Sequence, residues 1–122
     1  MRMWMLNPAV MCNKHLLGEH VECHMFVGHL QLKRRITNYI KHNLLQPKNL
    51  RERHDQLASE MKNRKMLHRS PLAKYDLSYL SEKQRIYTVD AEKSLIELLR
   101  RCSECKERLR ILNCSHELAI RY

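Results

Sequence analysis

At 122 residues, with 43% apolar and 30% charged side chains, the chain can bury one core and is too short for two ordinary ones, so a single domain over residues 1–122 is expected. Only two glycines and three prolines interrupt it, too little turn chemistry for a many-stranded sheet, which leaves an all-α bundle of about three main helices. A formal net charge of +10 and a pI near 9.7 call for a polyanionic partner, while the lack of any run of about 18 apolar residues or of a signal-peptide pattern argues against membrane insertion and secretion and for a soluble, cytoplasmic protein.

The chain opens with one charge, Arg2, followed by apolar Met3, Trp4, Met5 and Leu6, an extended, strand-like segment bent at Pro8. Asn13 is a candidate N-cap, and residues 14 to about 30 read as the first helix. His15, Glu19, Glu22 and Phe26 share one face of it, and Leu17, Val21 and Met25 form a neighbouring stripe. Between them sits Gly18, where a missing side chain would let another backbone approach closely. The N-terminal segment is the natural occupant, and it is expected to pack between helices.

A basic connector follows, with Lys33, Arg34 and Arg35 in succession, an amphipathic turn around Tyr39 and Ile40, and a stop at Pro47. Leu50, Leu57, Ala58 and Met61 recur at helical spacing, so residues 49 to 64 read as a second helix capped by Asn49. A loop closed by Pro71 comes next, then a tyrosine-bearing stretch with a short helix around Leu80 to Arg85. Thr88 or Asp90 starts a third main helix, with Ala91, Leu95, Leu98, Cys102 and Cys105 on its apolar stripe, ending between Arg108 and Asn113.

Charge is concentrated in the middle. Lys33, Arg34, Arg35, Lys41, Lys48, Arg51, Arg53, Lys62, Arg64, Lys65 and Arg69 are opposed there only by Glu52, Asp55 and Glu60. Such a field steers nucleic acid and anchors it through phosphates without reading sequence.

Two acids three residues apart on an otherwise apolar segment are costly unless paired. A glutamate drawn out of water has a raised pKa and can hold a proton near neutral pH, whereas a surface pairing of Glu19 and Glu22 with arginines would be purely structural. The α-amine of Met1 is a second candidate, because its pKa of about 7.7–8.0 leaves far more free amine at neutral pH than a lysine at about 10.4. His20 and His24 are spaced to bind a metal from one helical face but lack the glutamate next to the first histidine of the zinc-protease helix. Cys102, Cys105, Cys114 and His116 form C-x2-C-x8-C-x-H, the stronger zinc candidate. The C-x2-C pair, however, falls on the apolar stripe of the predicted helix, where cysteine acts as a small hydrophobe, so zinc there is the less favoured of the two readings. There is no Gly-rich phosphate loop, no serine-protease-like arrangement and no acidic cluster for two magnesium ions.

The segment from Arg2 to Gly28, above all KHLLGEHVE with His15, Glu19 and Glu22, resembles the phage-type pyrimidine-dimer DNA glycosylase and AP-lyase family, as does NLRERHDQLASEMKNRKMLHRSP from Asn49. The resemblance implies a compact helical domain acting without metal or cofactor on damaged double-stranded DNA, and a monomer is expected. It also implies that Met1 supplies the amine attacking C1′, that Glu22 is the catalytic acid, and that Arg2 and His15 contact the site. Further DNA contacts are expected from Lys33, Arg34, Arg35, Arg51, Arg53, Lys62, Arg64 and Lys65. The chain departs from the family at its first residue, a methionine in place of a processed threonine. Val21 and Met25 replace two basic contacts, and of an aromatic tail only Tyr122 remains. Two other readings stand beside it: a non-catalytic DNA-binding protein on the same scaffold, and a zinc-stabilised interaction module.

Overall fold

The computed structural model describes every residue except Arg69, Asn113, Cys114, Arg121 and Tyr122. The described residues form seven α-helices and two 3-10 turns with no strand: α1 (Asn13–Gln31), α2 (Thr37–Lys41), α3 (Leu50–Asn63), α4 (Glu82–Arg85), α5 (Ala91–Arg101), α6 (Ser103–Ile111) and α7 (His116–Ile120), with turns at Pro8–Val10 and Pro47–Asn49. The protein is all-α, and no helix among the described residues is long and apolar enough to cross a membrane.

The helix starts follow local chemistry. Asp90 caps α5 by accepting from the backbone N–H groups of Glu92 and Lys93, and Ser81 with Gln84 forms a capping box for α4. At α1 the cap lies one residue earlier than expected: Cys12 is extended, and Asn13 is already helical, its Oδ1 taken by Arg64 at 2.9 Å. The third main helix is broken where the spacing predicts continuity. Cys102 adopts φ −128 and ψ 108, ending α5 and capping α6 by accepting from the Cys105 N–H. Cys102 therefore sits at the break and Cys105 in the first turn of α6, rather than both along one continuous helical stripe.

α1 and α3 pack side by side around Leu16, Cys23, Phe26, Leu50, Leu57 and Met61, all buried. α5 and α6 close the core with Leu95, Leu98 and Cys105. The N-terminal segment is extended but pairs as no strand. It is held from three sides: Met3 N–H donates to Leu44 O at 2.7 Å, Asn7 N–H to Ala119 O at 2.7 Å, and the Arg53 guanidinium to Leu6 O at 2.6 Å. Met3 and Leu6 are fully buried and Trp4 nearly so, so apolar burial fixes the segment and delivers residues 1 and 2 to α1.

Candidate active site

The delivered end meets the polar face of α1. The Met1 α-amine lies 3.8 Å from Glu22 Oε1, and the Arg2 backbone N–H donates to Glu22 Oε2 at 3.3 Å. Burial pushes the Glu22 carboxyl above its ordinary pKa, and the Arg2 N–H and the nearby amine only partly oppose it. A carboxyl so placed can take a proton from the ammonium and give it back.

The Arg2 side chain stacks 3.7 Å above the Trp4 ring and donates to the buried Ser94 Oγ at 3.3 Å. Burial, and then the neighbouring Arg101, lower its pKa from the usual arginine value. A cleft of about 390 Å³ opens between these groups and α1, with Lys14, His15, Gly18 and Glu19 along the helix and Leu44 and Arg101 completing the lining. That volume is within the ~300–1,000 Å³ of small-ligand sites. A Cβ added at Gly18 would meet nothing within 4 Å. The expected close backbone approach does not occur there; the missing side chain enlarges the cleft instead.

Met1, Arg2, His15 and Glu22 thus converge on one cleft, while the remaining basic residues divide. Lys33, Arg34 and Arg35 are exposed just past the end of α1, which lies about 14 Å along the axis from Glu22 at helical rise, and Lys62 and Lys65 are exposed at the far end of α3. Arg51 is exposed and reaches the Leu72 and Ala73 carbonyls. Arg53 cannot touch DNA: it is fully buried and grips Glu19 through Nε at 2.5 Å and a second nitrogen at 2.9 Å. Arg64 is likewise a latch, bonded to Glu60 at 2.8 Å, to Asn13 and to the Pro8 carbonyl at 3.0 Å, with 12% of its side chain exposed. Both were expected on the DNA side because a helical pattern shows charge but not which charge finds a buried acid.

Lys14, Trp4 and Arg101 were not anticipated as lining residues. Lys14 adjoins His15 in sequence and could have been inferred, whereas nothing in linear spacing ties Arg101 to α1. The Leu17–Val21–Met25 stripe faces solvent, each residue a little under half exposed.

Beneath this surface α1 carries a second polar cluster. His20 and His24 pack against His54 of α3 and, for His20, His68, with ring centroids 4.6–5.1 Å apart. Burial, and then the other histidines, hold His20 down to a pKa of about 4.

An α-amine lies against a half-buried carboxylate in a cleft edged by the cationic side chains of Arg2, Lys14 and Arg101. Set against known protein families, residues 1–74 match the pyrimidine dimer DNA glycosylase family, and the chain belongs to it. Membership implies DNA glycosylase function on pyrimidine dimers, with DNA as substrate. Searches of curated proteins and of solved structures found no match.

Proposed function

We propose that the protein couples base excision to strand cleavage, with the Met1 α-amine as nucleophile and Glu22 as the proton carrier. Glu22 takes a proton from the ammonium, and the free amine attacks C1′ of a nucleotide drawn out of double-stranded DNA. The C1′–N bond to the base breaks, the base leaves with its electron pair and acquires a proton, and the opened sugar is held as an imine. Loss of a C2′ proton then expels the 3′ phosphate by β-elimination, and water releases the sugar fragment from the amine. Arg2, Lys14 and Arg101 supply positive charge for the flanking phosphates, while Lys33, Arg34, Arg35, Arg51, Lys62 and Lys65 extend the electrostatic reach along the duplex.

The observation that carries this reading is the 3.8 Å separation of the Met1 amine from a Glu22 carboxyl whose pKa is raised by burial. Borohydride trapping on abasic-site duplex DNA tests it. A covalent adduct mapping to Met1, and lost on N-terminal acetylation, is expected. Salt-sensitive duplex binding with no adduct on abasic or dimer-containing DNA would instead leave a non-catalytic DNA-binding protein on this scaffold.

A further inference from the structure

We propose that Cys12, His15, Cys102 and Cys105 form a closed, structural zinc site that clamps the start of α1 to the α5–α6 junction. One ligand atom from each of the four lies within 4.8 Å of all the others. Cys12 Sγ is 3.3 Å from His15 Nδ1 and 3.9 Å from Cys102 Sγ, and Cys105 Sγ is 3.7 Å from His15 Nδ1. Tetrahedral zinc with Zn–S near 2.3 Å and Zn–N near 2.0–2.1 Å has S···S edges of about 3.8 Å and S···N edges of about 3.6 Å. The Cys12–His15, Cys12–Cys102 and Cys105–His15 edges are close to these lengths, and the remaining edges are no longer than 4.8 Å.

The backbone supports the same reading. The two ligand pairs are a C-x2-H at the head of α1 and a C-x2-C at the break between α5 and α6. Cys12 N–H donates to Cys105 Sγ at 3.2 Å, and Cys105 N–H donates to Cys102 Sγ at 3.4 Å. Peptide donors aimed at sulfur stabilise thiolates, and they are what a metal-binding turn offers. Lys14 and Arg101 flank His15, so the surrounding charge also suits three thiolates around a dication.

The site revises the linear motif. Its second pair is Cys12 and His15: His116 lies on α7, bordering a separate groove with Leu99 and Ser103, and Cys114 is outside the described residues. Four protein ligands leave zinc no open position, so its role is in the fold and not in the chemistry. Through His15, and through Arg101 next to Cys102, the metal braces one wall of the cleft, and His15 serves there as a ligand through Nδ1 rather than as a proton carrier.

The test is the metal content of the full-length protein purified without chelator, which should be one zinc per chain. A mercurial thiol reagent should release that zinc, and cobalt substitution should give the visible bands of a tetrahedral cobalt–thiolate centre. Cys102→Ser with Cys105→Ser should abolish binding, whereas Cys23→Ser and His116→Ala should retain it. Because the double variant can fail to fold, wild-type protein treated with a strong chelator provides a second reading and should show a lowered Tm restored by added zinc. Substoichiometric zinc in protein expressed with zinc supplied, zinc retained by the double variant, zinc lost from His116→Ala, or a native mass short by two hydrogens from a Cys12–Cys102 disulfide would each overturn the proposal.

Discussion

Glu19 and Glu22 stand one turn apart on the same helix, and their surroundings give them opposite characters. Glu19 is buried, both oxygens held by Arg53, which also donates to the Leu6 carbonyl. Glu22 is 27% exposed and, among the described residues, meets the Arg2 N–H at 3.3 Å and the Met1 amine at 3.8 Å. A buried carboxylate with both oxygens bonded to one guanidinium fixes a structure, whereas a half-buried one with a raised pKa can exchange a proton. The Glu19–Arg53 pair also positions the site, since Arg53 anchors the very segment that carries Met1.

The sharpest break of that comparison is Arg53→Ala. It leaves the Glu19 charge buried and unpaired and should cost about 3–5 kcal/mol of stability by denaturant unfolding. A loss below about 1 kcal/mol would show that Glu19 is not held as described. Glu22→Gln should do the reverse. It should lower single-turnover cleavage of abasic DNA by about 10²–10⁴-fold while preserving the fold. Because burial raises the Glu22 pKa in the folded state, the charged form weakens folding once pH passes that pKa. The glutamine variant should therefore be at least as stable as the parent at pH 8, and its rate profile should lose the acidic limb. A variant both inactive and unfolded would erase the distinction between the two acids.

The smallest effect is expected from the histidine cluster beneath them. His20, with a folded-state pKa of about 4, faces His24 on its own helix, His54 on α3 and His68. Its folded pKa lies below the unfolded value, so the stability associated with the neutral ring is present above about pH 6.5 and is lost as pH falls toward 4. Thermal melts should show Tm declining over that window, less steeply in His20→Gln. A flat profile in the parent would mean the rings are already protonated or solvated at neutral pH.

How far these features could be read without the fold depends on their range. The all-α class and the extents of α1 and α3 follow from periodicity and the scarcity of turn residues, and the meeting of Met1 with the Glu22 face followed from the family resemblance. The roles of Arg53 and Arg64 were not legible, because both sit in a strongly basic stretch where the pattern cannot show that Glu19 and Glu60 lie close by. The break at Cys102 was hidden for a similar reason: its apolar spacing is helical, and only long-range neighbours, Cys12 and His15, give the turn its purpose. Local chemistry showed the elements, but pairings across 34 to 90 residues did not leave a local trace.

Gly18 shows what the cleft demands of the helix that bears it. An alanine there would face open space and, by restricting the unfolded chain and favouring helix, should add about 0.5–1 kcal/mol to α1. Its methyl group would also intrude on the volume a displaced nucleotide needs. Gly18→Ala is thus expected to yield a protein that melts later and cuts more slowly. If so, the weakest position of the helix is a measure of substrate girth, and loosened helix propensity there is a specificity setting rather than a flaw.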